Sequence, residues 1–367
     1  MSASTRVVFV VQGEGRGHLS QALAFAQMLQ SWNFQLVAVF VGRSHLRKLP
    51  GYFSSKIGAP IHEFSSPNFT PDKNNQGIKV AESLVKGALN LPRYLNISRK
   101  LVRDIHSAKP HVVVNFYEPL VGLSQLVWKL KVPLVSVGHQ YMIYHPDFKM
   151  PEKPRFDRLG LKVLTFISQI GTHMRLALSF YPKTSVKRLK VVPPLLRNEV
   201  TQLQTSEQKH ILIYVLNSGY AEEVMSWHQR HKDVVVHCFW DDYEKPNPYQ
   251  PWENLHFHHL HDELFLEKMS ECSVLLTTSG FESVCEAMYL GKPVAMVPVK
   301  GHYEQLLNSY DAIYAKAGIR NDAFKLDELF QKLETFETSS AQASATQNWF
   351  NRTEIEIKTA IDSLINK

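Results

Sequence analysis

The stretch from Ser273 to Asn308 constrains the fold more than any other. It begins Ser273-Val-Leu-Leu-Thr277, a short apolar run that reads as a buried parallel strand. Ser279-Gly280 then stops the strand and opens a helix. Serine is a good N-cap, and glycine lets backbone come close to a ligand. The helix is predicted over Glu282–Tyr289, with Gly291 as its C-terminal glycine and Lys292-Pro293 as the stop. A second apolar strand, Pro293–Pro298, follows, and a loop carrying Lys300, His302, Glu304 and Gln305 opens another helix. This is a βαβ unit with polar groups at the carboxyl ends of two strands, where open α/β sheets bind ligands. The free N–H groups and positive dipole end at Ser279-Gly280 suit phosphate. Glu286, further along the helix, offers a carboxylate to ribose hydroxyls, and the loop at Tyr303-Glu304-Gln305 is placed to reach a sugar. Together these groups predict a nucleotide-sugar site.

The 367 residues leave room for two domains of ordinary size. No uncharged apolar run is long enough to span a bilayer, so no transmembrane helix is expected. The opening MSASTRVVFVVQGEG reads as a first strand rather than a signal peptide. Cys238, Cys272 and Cys285 lack metal spacing and are expected to be buried reduced thiols, consistent with a cytoplasmic protein. The net charge of +7 is unevenly spread: residues 1–200 hold 27 Lys and Arg against 10 Asp and Glu, and the remainder 14 against 24. A basic first half favours an anionic partner such as a membrane surface or a phosphorylated carrier. No basic motif interleaved with aromatics is present, and nucleic acid is not expected as a partner.

At the N-terminus a strand, Arg6–Val11, runs into Gln12-Gly-Glu-Gly-Arg-Gly17-His18 and then a helix, Leu19–Trp32. Such a turn also opens dinucleotide folds. Here the second strand, Leu36–Val41, ends Gly42-Arg43-Ser44-His45 without the carboxylate that NAD needs, while Arg43 leaves NADP open. Strands His111–Asn115 and Pro133–Val137 end in Phe116-Tyr117-Glu118 and Gly138-His139-Gln140. Asn115, Glu118, His139 and Gln140 therefore join Gly15, Gly17, His18 and Gln21 as candidates for one ligand cleft. Pro60–Asn75 reads as a long loop, Tyr141–Arg158 as a mobile loop, Leu159–Ala177 as a helix and Ala177–Phe180 as a strand. Gln76–Ala108 reads as a basic amphipathic helix broken at Pro92, suited either to an anionic bilayer or to the flank of the sheet. A junction at Val191–Leu196 divides the chain into domains 1–196 and 197–346. The second domain carries strands Ile211–Val215, Val234–Phe239 and Leu255–Leu260, with Asn217 and Ser218 in the turn after its first strand. His256, His258, His259 and His261 are split by strand alternation, and no Cys or carboxylate set completes a site, so no metal is expected.

Two of these stretches carry a resemblance. Ser279, Gly280, Glu286, Gly291, Pro293, Pro298, Gln305 and Asn308 match, position by position, the donor-site signature of GT-B glycosyltransferases, closest to family 28 with relatives in family 1. Gly13–His18 resembles their first loop, a glycine turn ending in histidine. The resemblance implies an α/β fold of GT-B architecture: two Rossmann-like domains with parallel sheets facing a central cleft, and a last helix, 347–367, crossing back to the first domain. It implies a glycosyltransferase that moves a sugar from a nucleotide-sugar, a UDP-sugar in family 28, to an acceptor hydroxyl with inversion, without cofactor or metal. The family 28 acceptor is lipid-linked, which would place the protein at the inner face of a membrane. By the same resemblance Ser279 and Gly280 meet the diphosphate, with Asn217 and Ser218 beside it. Glu286 binds the ribose, Gln305 holds sugar hydroxyls, and His18 is a general base or lines the acceptor–donor cleft; beside these, the residues' own positions place Glu304 near the sugar and Glu118 to orient His18 or bind acceptor. One glycine is missing from the turn at Asn217-Ser218, and Asn115 stands where relatives carry an acidic residue. A nucleotide-sugar 2-epimerase and a non-catalytic anion-binding partner protein remain as alternatives.

Overall fold

The computed structural model describes residues 4–44, 48–67, 80–152, 155–206, 208–215, 218–337 and 339–365. The chain divides into two compact units. One gathers the described parts of residues 1–70, 80–197 and 349–367, and the other spans 198–348.

The first unit is built on strands β1 (Thr5–Gln12), β2 (Phe34–Arg43), β3 (Ile61–Ser65), β4 (Val112–Phe116), β5 (Leu134–Val137), β6 (Met174–Leu178) and β7 (Leu189–Val192). They form one parallel sheet in the order β3-β2-β1-β4-β5-β6-β7. Side chains alternate across the pleat, so β1 feeds both faces. Val8 and Val10 pack with Phe40, Leu101, Ile105 and Val121 on one side. Phe9 meets Phe25 of the helix Arg16–Ser31 and Phe116 in edge-to-face contacts at 5.6 and 5.1 Å. Helix Thr353–Ile365 belongs to this unit. Trp349 Nε1 donates to Ser179 O at 2.9 Å, and Glu354 Oε1 accepts from Ser31 Oγ at 2.6 Å and Trp32 Nε1 at 2.8 Å.

The second unit holds β8 (His210–Tyr214), β9 (Val235–Trp240), β10 (Tyr249–Trp252), β11 (Leu255–His259), β12 (Val274–Thr277), β13 (Val294–Met296) and β14 (Gly318–Arg320). Their order is β10-β11-β9-β8-β12-β13-β14, parallel except for the β10-β11 pair at the edge. The helix Phe281–Tyr289 ends as its glycine predicts. Gly291 takes φ +69°, its N–H donates to Met288 O, and Lys292 N–H donates to Ala287 O, which is the paired bonding of a Schellman turn.

Several sequence expectations are corrected. Strand β3 lies inside the stretch Pro60–Asn75 read as a loop, and β10 and β14 fall where no strand was expected. The helix expected over Leu159–Ala177 is Arg155–Ser168, and Met174–Leu178 is strand β6; Gly171 at φ +72° turns the chain between them. The basic helix, by contrast, is broken near Pro92 as expected: where described it is two helices, Val80–Leu89 and Leu91–Ser107, with Pro92 in the first turn of the second. The loop expected over Tyr141–Arg158 begins instead as a 3-10 turn, His139–Tyr144, whose Tyr141 and Met142 are fully buried.

Candidate active site

Both sheets reverse strand order beside their central strand, at β1/β4 and at β8/β12. Loops leaving the carboxyl ends of such neighbours diverge to opposite faces and leave a crevice between them. The turns after β1 and β4 are Gly13–Gly15 and Tyr117-Glu118; the turn after β12 is Thr278–Gly280, and past β8 the described chain resumes at Ser218.

In the first unit, Gly13 is the glycine its turn requires. Its N–H donates to Gly42 O at 2.7 Å, and a Cβ there would lie 2.6 Å from Val41 Cγ1. Gly15 is the N-cap of the helix Arg16–Ser31 with open space beside it, and Gly17 lies in the first turn. That helix carries His18 and, one turn on, Gln21. His18 Nδ1 lies 3.2 Å from Gln21 Oε1, and the imidazole stacks on the Tyr117 ring at 5.4 Å and 22°. His18 is 9% exposed, and burial lowers its pKa to about 4 against the opposing bond from Gln21.

Glu118 does not orient His18. It is completely buried as the N-cap of the helix Pro119–Gln125, where its carboxylate accepts from Leu120 N–H at 3.0 Å and from Ser66 Oγ at 2.7 Å. A Cβ on Gly42 would lie 2.1 Å from Glu118 Oε2, so only glycine fits there. Asn115 is likewise structural: its amide donates to Glu118 O and Ser168 O, and its Oδ1 accepts from Glu118 N–H. His139 is 1% exposed, and its ring turns inward to Leu178 O at 2.8 Å and Phe180, because the 3-10 turn begins at the end of β5. Gln140 is buried beside Gly138. Neither is brought to His18. The residue beside His18 that the sequence reading passed over is Tyr117. Its signal was its place at a strand end before Glu118-Pro119; its φ of +61° had none.

In the second unit, Ser279 takes φ +66° and is completely buried, and its Oγ has no hydrogen-bond partner among the described residues. Asn308 Nδ2 donates to Ser279 O at 3.1 Å, tying helix Tyr303–Tyr314 to this turn. Gly280, which has no side chain of its own to cap with, is the N-cap of the helix Phe281–Tyr289. Glu286 is 4% exposed; with Glu282 and Asp311 it raises the pKa of the buried Cys285 thiol, on top of the effect of burial. Gln305 Oε1 accepts from Val299 N–H at 2.9 Å, which fixes the loop after β13. Glu304 is half-buried in the first turn of the same helix. Ser218 opens a 3-10 turn, Ser218–Tyr220, and Asn217 lies outside the described residues.

Both N-terminal turns share one device. Tyr117 and Ser279 each stand two residues before a helix, in the left-handed region, without being glycine. Such strain persists where the surroundings over-determine it, and it gathers at functional sites.

Two doubly wound parallel sheets with these switch-point turns make this an α/β protein of the GT-B class. A family model for glycosyl transferase family 1 matches residues 5–338, and the chain belongs to that family. It is a glycosyltransferase. It is similar to the UDP-N-acetylglucosamine--N-acetylmuramyl-(pentapeptide) pyrophosphoryl-undecaprenol N-acetylglucosamine transferase of Fusobacterium nucleatum subsp. nucleatum, 22% identical over 86% of this chain and 85% of that one. Among solved structures it is similar to the glycotransferase of kitacinnamycin (14% identity, TM-score 0.65, 98% of this chain and 99% of that one). It is also similar to the spinosyn forosaminyltransferase (12%, TM-score 0.62, 99% and 100%).

Proposed function

We propose that the protein transfers a sugar from a UDP-sugar to an acceptor hydroxyl, inverting the anomeric carbon and needing no metal. The observation that carries this is the donor turn: a buried Ser279 Oγ with no hydrogen-bond partner among the described residues, beside a helix N-terminus whose N-cap is Gly280. N–H groups and a dipole end there suit the diphosphate and stabilise it as it departs. Glu286 meets the ribose, and Gln305, whose carbonyl oxygen is already engaged, offers its amide N–H groups to sugar hydroxyls. His18, neutral at pH 7, accepts the acceptor's proton.

The relative from Fusobacterium nucleatum names UDP-N-acetylglucosamine as a donor and a lipid-linked acceptor. A surface on the first unit fits a lipid-borne acceptor. Val85, Leu89 and Leu91 are exposed on the paired helices of residues 80–107, and Leu159 and Phe166 on the helix Arg155–Ser168, which touches the first of that pair. No helix among the described residues is long and apolar enough to cross a membrane. Peripheral attachment to the inner face of a membrane is the matching proposal.

The test is calorimetry with UDP together with turnover of UDP-N-acetylglucosamine. Wild type is expected to bind UDP, and Glu286→Ala to lose binding. His18→Ala is expected to keep UDP binding and lose turnover by about 10²-fold or more, with EDTA without effect. Undiminished turnover in Glu286→Ala would sink the donor reading, and an epimerised UDP-sugar product would identify an epimerase. Vesicles containing anionic lipid should sediment the wild-type protein, and Leu89→Glu with Phe166→Glu should release it.

A further inference from the structure

We propose that Tyr117, braced by Thr165, is a positioning residue for His18, and that with Gln21 it holds the imidazole as the Nδ1–H tautomer with Nε2 left to take a proton. The proposal rests on the reading of His18 as the base. It replaces the carboxylate orienter expected from sequence with a neutral pair.

Three contacts lead to it. Gln21 Oε1 is an acceptor only, so at 3.2 Å it places the hydrogen on Nδ1 of His18. Nε2 then carries the lone pair, and it has no partner among the described residues. The second contact is the stack of His18 on Tyr117. An aromatic face restricts ring rotation about the imidazole's remaining free torsion. The third contact fixes Tyr117 itself. Thr165 Oγ1 donates to Leu161 O at 2.7 Å and therefore accepts from the Tyr117 hydroxyl at 2.6 Å. Tyr117 and Thr165 are 2% and 0% exposed. The left-handed backbone at Tyr117 aims the ring at the helix Arg16–Ser31, a direction that an extended residue after β4 would not give.

A neutral orienter has a consequence that a carboxylate would not. Gln21 fixes the tautomer but adds no negative charge, so the imidazole stays uncharged in its buried place. A carboxylate at position 21 would favour the imidazolium instead.

The experiment is nitrogen-15 NMR of histidine-labelled protein, with the His18 resonances assigned by their loss in His18→Ala. Wild type is expected to show protonated Nδ1 and bare Nε2 at pH 7. Tyr117→Leu is expected to shift the His18 resonances, as the ring current disappears, and to broaden them. With UDP-N-acetylglucosamine it should lower kcat by about 10²-fold at unchanged KM. Gln21→Glu is expected to move the His18 titration, and the acid limb of kcat/KM, to higher pH. Should Tyr117→Leu fail to fold, Thr165→Val cuts the brace without touching the stack, and the same broadening is expected. A wild-type Nε2–H tautomer, or an unmoved His18 spectrum in a folded variant, overturns the proposal. The spectra need no substrate. If His18→Ala leaves turnover intact, the base reading falls, and the tautomer result stands apart from it.

Discussion

At the scale of single residues, Glu118 is the group whose charge the fold resists most clearly. Burial pushes its carboxyl up to about 7, against the bonds from Leu120 and Ser66, and the nearby Glu14 adds to the rise. The folded state thus holds the proton more tightly than the unfolded chain does. Its stabilising share is full below the ordinary carboxyl range near pH 4.5 and is lost as pH rises through about 7. Glu118→Gln keeps an acceptor for Leu120 N–H and removes the titration. Urea unfolding should therefore show wild type losing on the order of 2–3 kcal/mol between pH 5 and 8 relative to this variant. Equal slopes would mean the carboxyl is not desolvated as its burial says. The strand-end position of Glu118 was legible in the sequence. Its role was not, because Gly42 arrives on β2 and Ser66 just after β3, and nothing local marks them. For Ser279 the reading went further, since the Ser-Gly turn, the helix and the later Asn308 all lie within one short stretch.

At the scale of elements, the second sheet carries a row of histidines across three adjacent strands: His210 on β8, His237 on β9, and His256 and His258 on β11. Their rings lie 4.9–5.2 Å from His237, and His237 Nδ1 is 2.9 Å from His258 Nε2. A hydrogen bond between two imidazoles needs one donor and one acceptor, so the two rings cannot both be protonated. Burial and mutual repulsion lower His237 to about 3 and His258 to about 4; Lys268 opposes protonation of all four, Lys292 that of His210, and Glu271 favours it at His210. The unfolded chain binds these protons near pH 6.5, so the stability they contribute is present above 6.5 and is lost as pH falls toward 4. His237→Phe should flatten the acid slope of unfolding between pH 6.5 and 4.5, and an unchanged slope would count against the ladder. Alternation along β11 separated these histidines correctly, but their neighbours on β8 and β9 needed the strand order. The central parallel strands were legible as apolar runs. The strands that escaped, β3, β10 and β14, are short edge elements with polar, glycine or proline residues, where burial leaves no continuous pattern.

At the scale of the whole molecule, the two units carry opposite acid responses. Lowering the pH favours the folded form at Glu118 and disfavours it at the histidine row. Calorimetry at pH 7.5 and pH 5 should therefore show the second unit's transition falling by several degrees while the first holds, so that one endotherm splits into two. A single peak moving as one would show that the units unfold together. The two motif stretches read from the sequence, Gly13–His18 and Ser279–Asn308, fall one in each unit. The charge split between the two halves was visible at once, but it could not say which groups it steers.

The chain leaves the first unit after Arg197 and rejoins it at Trp349. Trp349, Phe350, Ile357 and Ile361 are all buried there. During synthesis, which runs from the N-terminus, the first unit must wait for the last-made of these residues, while the inserted second unit can already have closed. Until then the nascent first unit exposes the apolar seat of its final helix. A ribosome that stops short of Trp349 would release a finished second unit joined to an unfinished, adhesive first one.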